Sequence, residues 1–538
     1  MRSDIRSHAN KDPGSSHISS TMSVETITVP LSGYDLVMPK LYVKCILYFA
    51  LKPDVDPQKA YTRLMAGLSR TFDKIPALDA KIFLRPEHEP GWKKGHLQIR
   101  YPKNRDLLPS EERERPRQFS FRDQTHVLPS YEDLRSAGFE FSAFKDEAVL
   151  DTPWFPPLPA DIFIAQANLI EGGLLLAMGF HHSVFDATGV FTVIKAWGEC
   201  CRSMEQGLSE FCTWFDPLSL DQGILERLWK TEGYRRPPAE IDRSVWQYLG
   251  FAAPDEDNPD ESSEKVNGVP PGENGATTVS EASTEKSVAP SAPTRMLETS
   301  IFYISPSKLA ELKREAGVGT EVDGASLTAN DAILALFWSA IIRARMRVAQ
   351  DAGRIITPDE PSSLESPMDA RSFFSDALPR TYLGNAVMIS RCSMPLLTLT
   401  APYSQTSLKD IAACVRRAAA RIDIQLVHDA YTLLETVPDY TALKYAFMET
   451  NSLDVMISST LLLPLQELAF GGEFFEDDGC PELFRPLMDG LNSGFRLCVV
   501  LPMTRSGGVR LLVGLFPEEL EVMLNDKEFE KYALFLCQ

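Results

Sequence analysis

Apolar residues along this chain fall into strand-length runs and helical stripes, and each pattern predicts an element. Residues 41–51 (LYVKCILYFAL) form an apolar, β-branched and aromatic run that predicts a strand. Asp56-Pro57 then places an N-cap carboxylate before a proline at the first helical position, where a missing N–H costs nothing. Ala60, Leu64, Met65, Leu68 and Phe72 supply the apolar face of that helix. Further on, residues 162–168 and 174–180 are two apolar arms around the turn Glu171-Gly172-Gly173, which predicts a hairpin. The second arm runs out into His181-His182-Ser183-Val184-Phe185-Asp186, and a helix begins near Thr188 with Val193, Ile194 and Trp197.

The second half of the chain repeats this vocabulary. Thr328-Ala329-Asn330-Asp331 reads as a capping box that opens a helix with Ile333, Leu334, Phe337, Ile341 and Ile342 on its apolar side. Residues 495–501 and 509–515 predict strands around the turn Ser506-Gly507-Gly508, and a helix begins near Pro517. Both halves thus run strand, Gly-Gly turn, apolar strand, helix. At the strand-to-helix junction the first has HHSVFD where the second has FPEEL, so two related α/β domains are expected, with chemistry in one of them.

Composition then divides the chain. Residues 252–295 are rich in Pro, Ser, Glu and Gly and hold no aromatic residue, so they are expected to form a flexible linker. Residues 1–21 read as a disordered tail, which leaves domains at 22–251 and 296–538.

With 54 Lys and Arg against 74 Asp and Glu, the net charge is −20. Neither nucleic acid nor an anionic membrane surface is an expected partner, because both require clustered cations. No run reaches the roughly 18 apolar residues of a membrane helix, the N-terminus has no apolar signal core, and FLCQ at the C-terminus reads as neither a peroxisomal address nor a prenylation box. Nine cysteines with no C-x-x-C pair suggest neither a zinc module nor a disulfide framework, and a reducing, cytoplasmic setting is expected.

The candidate chemistry sits where the first hairpin ends. His182 and Asp186 are four residues apart across a strand-to-helix turn. An imidazole there suits general-base work because its pKa lies near neutrality, and the carboxylate would hold the turn's shape. The plainer alternative is a core histidine satisfied by a backbone carbonyl. No metal site is expected, since the adjacent His181 and His182 face opposite ways on an extended strand.

HHSVFDATG resembles the H-H-x-x-x-D motif of the chloramphenicol-acetyltransferase superfamily, which includes the BAHD acyltransferases and the condensation domains of peptide synthetases. Three further blocks follow the family's order. Leu31-Ser32-Gly33-Tyr34-Asp35 with Met38-Pro39 resembles the opening of fungal BAHD-like enzymes. Asp369-Ala370-Arg371 through Leu378-Pro379-Arg380-Thr381-Tyr382-Leu383-Gly384-Asn385-Ala386-Val387 resembles D-x-R…L-P-x-x-Y-x-G-N-x-V. Ser458-Ser459-Thr460 through Ala469-Phe470-Gly471-Gly472-Glu473, then Gly479-Cys480-Pro481-Glu482, resembles T-S-W…D-F-G-W-G and G-K-P-E. The likeness spans roughly residues 27–535 and is strongest to the fungal branch that includes trichothecene 3-O-acetyltransferase.

The resemblance implies two chloramphenicol-acetyltransferase-like domains, each a mixed sheet flanked by helices, with the active site at their interface. It implies His182 as general base, with no covalent acyl-enzyme. It implies Asp186 in a structural pairing with Arg371, and Asn385 as a further structural residue. Ser458, Ser459 and Thr460 would lie near the thioester. Acetyl-CoA or another acyl-CoA is implied as co-substrate with no tightly bound cofactor, a hydroxyl or amine of a specialised metabolite as acceptor, and a monomer as the working form.

Two departures stand out. Ala187 replaces the family glycine after the motif aspartate, with Gly189 close by, and the aspartate and tryptophan of D-F-G-W-G are missing, with Glu467 or Glu473 as possible replacements. The competing readings are a condensation-type enzyme using carrier-protein thioesters and a degenerate, non-catalytic binding protein of the same fold. A serine hydrolase would need a G-x-S-x-G elbow, which the sequence lacks.

Overall fold

The computed structural model describes residues 25–254, 297–357, 359–446, 452–489 and 496–537. The expected tail at 1–21 and nearly all of the expected linker lie outside the described residues. Among the described residues no helix is long and apolar enough to cross a membrane.

Local chemistry forms the elements where the pattern predicts them. The strand Tyr42–Ala50 is followed by the helix Pro57–Lys74, where Asp56 caps the Gln58 N–H and Pro57 starts the first turn. The hairpin comprises Phe163–Ile170 and Gly173–His181, and the helix Ala187–Glu205 follows. In the second half, Thr328 and Asp331 close a reciprocal capping box at the start of Ala329–Asp351. That helix is buried on nearly every side between Asp331 and Arg345, so it forms the centre of the second core.

The two halves share one strand order. The first sheet runs Leu483–Pro486, Tyr42–Ala50, Gly173–His181, Phe163–Ile170, Phe119–Asp123. The second runs Ala533–Cys537, Glu298–Ile304, Val509–Leu515, Cys498–Val500, Val455–Ser459, then Pro361–Asp369 and Val387–Pro395. In both sheets the first three pairings of this order are antiparallel and the fourth is parallel. The sheets are therefore mixed, and the repeat read from the two hairpins extends to five strands in each. Helices Pro57–Lys74 and Ala187–Glu205 lie together against the first sheet, and the Trp197 indole donates to the Leu64 carbonyl at 2.8 Å.

Several segments of the second half cross into the first. Leu483–Pro486 belongs to the second half by sequence but pairs with Tyr42–Ala50, Leu483 opposite Tyr48 and Pro486 opposite Cys45. Phe374, Tyr382, Leu383, Val427 and Tyr431 likewise join the first core.

The contact between the two first-half helices depends on Gly67. A Cβ added there would lie 2.2 Å from the Cys201 sulfur and 3.2 Å from its backbone nitrogen. Gly67→Ala would gain about 1 kcal/mol of helix propensity. Overpacking against a facing backbone costs about 1–3 kcal/mol. The variant is therefore expected to be less stable, by denaturant unfolding, than the parent chain; equal or higher stability would show that the helices separate freely.

Candidate active site

The motif lies where the strand Gly173–His181 ends and its backbone is held on both sides. His181 N–H donates to Ile162 O, and His182 N–H donates to Leu41 O, each at 2.8 Å. The turn closes through Val184 and Phe185 N–H groups on the His181 carbonyl, and Asp186 then caps the helix by accepting from Gly189 N–H at 3.0 Å. The motif is thus a strand end, one tight turn and a capped helix start, so its side chains have little freedom.

His182 is half-buried, and its Nδ1 lies 3.1 Å from the Phe185 carbonyl. A carbonyl only accepts, so this contact requires the proton on Nδ1 and leaves the Nε2 lone pair free. Burial pushes the His182 pKa below its ordinary value, against the opposing pull of the backbone contacts and Asp186. His181 is fully buried, accepts weakly from Ser183 N–H at 3.3 Å, and is pushed down to about 3 by desolvation. It is therefore a neutral core residue, and the two histidines have separate environments.

Asp186 turns away from the imidazole. Its Oδ1 meets Arg371 Nη2 at 2.9 Å and its Oδ2 accepts from Ala386 N–H at 3.1 Å. Arg371 is fully buried and donates further to Asp369 Oδ1 at 2.9 Å, Tyr382 O at 2.8 Å and Gly384 O at 2.8 Å. The pair therefore joins the helix start of the first half to the segment 369–387 of the second. Gly189 allows the approach: a Cβ there would stand 2.5 Å from the Leu383 carbonyl oxygen.

Asn385 comes to the same place. Its side-chain amide donates to the His182 carbonyl at 2.9 Å and to Asp35 Oδ1 at 2.9 Å. Asp35 also accepts from Asn385 N–H, Ser32 N–H and the Ser32 hydroxyl. Burial nonetheless raises the Asp35 carboxyl to about 6. The sequence flagged Ser32 to Asp35 as an opening block but gave Asp35 no role. Its capping box with Ser32 was the available local signal; its contact with Asn385, 350 positions away, was not.

Ser458, Ser459 and Thr460 are half-buried at the end of the strand Val455–Ser459. The Ser459 hydroxyl donates to Asn330 Oδ1 at 2.6 Å, and the Thr460 hydroxyl donates to Val500 O at 2.8 Å. Among the described residues the Ser458 hydroxyl has no hydrogen-bond partner. No hydrogen bond joins these three to His182, Asp186, Arg371 or Asn385, which do form one network.

The altered block still anchors the second half to the first. Phe470 packs on Phe49 and Trp197, with ring centres 5.2 and 5.8 Å away. Gly198 lets the block approach, since a Cβ there would stand 2.7 Å from Ala469 O. Glu473 pairs with Arg63 at 2.6 Å, and Glu467 pairs with Lys195, so both acids bind helices of the first half. These pairs are partly exposed and contribute about 1 kcal/mol or less each.

Comparison with known proteins agrees with this architecture. Residues 41–201 match the trichothecene 3-O-acetyltransferase-like N-terminal domain, and residues 253–530, over half of the chain, match the Transferase family. The isocyanide synthase-NRPS hybrid crmA of Aspergillus fumigatus is 35% identical over 94% of this chain, and the chain spans 31% of the length of that hybrid. The O-acetyltransferase ptmV of Penicillium ochrochloron is 26% identical, with 86% of this chain and 88% of that protein covered. TRI101 of F. graminearum, crystallised with coenzyme A and deoxynivalenol, shares the fold with a TM-score of 0.70 at 18% identity, covering 95% of this chain and 100% of that one. With a mixed five-strand unit in each half and the motif network at their junction, the chain belongs to the Transferase family, with an N-terminal domain of the trichothecene 3-O-acetyltransferase-like type.

Proposed function

We propose that the chain is an acyl-CoA-dependent O-acyltransferase that moves an acetyl group to a hydroxyl of a small specialised metabolite, with His182 as general base. The observation that carries this reading is the contact of His182 Nδ1 with the Phe185 carbonyl at 3.1 Å, which calls for the proton on Nδ1 and leaves Nε2 as the base at the junction of the two halves. Nε2 takes the proton of the acceptor hydroxyl as its oxygen attacks the thioester carbonyl. The tetrahedral oxyanion collapses, the C–S bond breaks, and the imidazolium returns the proton to the departing thiolate. No acyl-enzyme forms. The unpartnered Ser458 hydroxyl is the donor we assign to the oxyanion or the pantetheine arm. Ser459 and Thr460 hold the end of its strand.

Relatives named O-acetyltransferases and a shared fold that holds coenzyme A in TRI101 support the donor and the reaction. Nine free thiols support a reducing, cytoplasmic setting. A second reading, a carrier-protein thioester as donor, is favoured by one observation, the 35% identity to a hybrid that includes a peptide synthetase.

Three outcomes are expected. With acetyl-CoA and a panel of hydroxylated terpenoid, polyketide and alkaloid acceptors, the parent chain releases free thiol and His182→Ala does so about 10²–10⁴-fold more slowly. Failure to bind acetyl-CoA would exclude the acyl-CoA reading and favour a carrier-protein donor. The acidic limb of kcat/KM falls below the ordinary histidine pKa of about 6.5, because the base works deprotonated and burial lowers its pKa. A limb at or above that value would assign the base elsewhere. Asp186→Asn leaves the buried Arg371 with one carboxylate fewer, so unfolding free energy drops by about 3 kcal/mol. A displaced His182 lowers kcat about 10²-fold with little change in the acetyl-CoA KM. Unchanged kcat would limit Asp186 to stability alone.

A further inference from the structure

The nine free thiols are not equivalent. Cys45, Cys201, Cys498 and Cys537 are buried, and desolvation pushes each above the ordinary thiol range. Cys200 and Cys212 touch each other, but both are buried inside the first core. Cys392 and Cys414 form a second pair, and it differs in access. A pocket of about 340 Å³ opens beside the edge strand Val387–Pro395, and both of these cysteines line it.

Cys392 stands on the strand opposite Leu364 of Pro361–Asp369 and is buried. Cys414 stands on the helix Leu408–Ala419, which packs on that strand, and is half-buried. Its sulfur lies 3.7 Å from the carbonyl oxygen of Ser393, the residue after Cys392. The two thiols are in hydrogen-bonding contact, and the proton stays on Cys392: that contact holds Cys414 down to about 7 and pushes Cys392 up. Arg417 and Arg421, on the pocket wall, lower Cys414 further, against the opposing effect of burial. Arg391, held by Glu365 at 3.2 Å, completes the cationic wall. A thiolate that forms near neutrality, within reach of solvent and beside a second thiol, is equipped to act as a two-electron reductant.

We propose that Cys414 and Cys392 are a reversible oxidation site, at which a hydroperoxide converts the pair to a disulfide. The Cys414 thiolate attacks one oxygen of the hydroperoxide. An S–O bond forms, the O–O bond breaks, and the departing oxyanion takes up the proton that Cys414 had released. It leaves as an alcohol, or as water when the oxidant is hydrogen peroxide. The Cys392 sulfur then attacks the sulfenic sulfur of Cys414. The S–S bond forms, the S–O bond breaks, and the leaving hydroxide takes the Cys392 proton and departs as water. Two thiols are oxidised and one peroxide bond is reduced. The new bond ties the helix Leu408–Ala419 to the edge of the second sheet, and a thiol reductant reverses it. Neither cysteine takes part in the proposed acyl transfer, so the site stands apart from that reading.

The test treats the full chain with hydrogen peroxide at neutral pH, the parent beside Cys392→Ser, Cys414→Ser and a double variant, Arg417→Ala with Arg421→Ala. Peptide mass mapping of the parent is expected to find Cys392 joined to Cys414, with the mass lower by two hydrogens, and dithiothreitol to restore both thiols. Cys392→Ser keeps a hydroxyl donor but no second sulfur, so oxidation stops at a sulfenic acid on Cys414 that dimedone traps. Cys414→Ser loses the reaction and leaves Cys392 unmodified. The double arginine variant loses the Cys414 thiol about threefold more slowly or worse, since a smaller fraction is thiolate. Mapping of the parent decides the outcome even where a variant fails to fold. A different residue oxidised first, such as the half-buried Cys480, would overturn the proposal. So would Cys414 passing on to a sulfinic acid in the parent while Cys392 stays free.

Discussion

The structure depends on one buried ion pair. Asp186 and Arg371 are almost wholly removed from water, their charged atoms 2.9 Å apart. Burying two charges is costly unless their remaining hydrogen-bonding capacity is filled. Here it is filled by Gly189 and Ala386 N–H groups on the acid and by the Tyr382 and Gly384 carbonyls on the base. Each of those groups lies on a segment that must be placed correctly for the pair to survive. The pair therefore couples the capped helix start after HHSVFD to the segment 369–387, and the His182 turn is held between them. Asp35 and Asn385 repeat the arrangement with one charge instead of two, and they reach the His182 carbonyl itself.

Internal repetition explains why such cross-links are needed. Each half builds the same five-strand order, but the outer strand of the first sheet, Leu483–Pro486, is supplied by the second half. The halves are interlocked, and the junction becomes part of both. Only one of the two equivalent strand exits carries histidines; the other continues as Leu515-Phe516-Pro517 into a helix. The two halves hold two similar turns, and the polar network is built around one of them.

What was readable in the sequence follows from the range of the interactions. The Asp56 cap, the Thr328 capping box, the hairpin arms and the His182–Asp186 spacing are each decided within a few residues, and each was legible. Arg371 and Asn385 were reached only through the family resemblance, because nothing local marks a buried arginine whose partner lies 185 positions earlier. Asp35 had no assigned role for the same reason. The triplet Ser458 to Thr460 was found as residue types, yet its bonds to Asn330 and Val500 were not visible.

The proposed role of His182 as a single base differs from a triad in the orientation of the ring. In serine hydrolase triads a carboxylate holds the imidazole through Nδ1 and stabilises the imidazolium, which raises the base's affinity for its proton. Here the nearby carboxylate serves the arginine, and Nδ1 rests on a neutral carbonyl. Such a histidine carries no carboxylate on its own ring; Asp186 pulls its pKa up without bonding it, and burial outweighs that pull. That suits a base which must be unprotonated before a neutral hydroxyl arrives and must give the proton up again within the same turnover. Under that proposal, direct transfer between two bound substrates needs a free lone pair in a rigid frame.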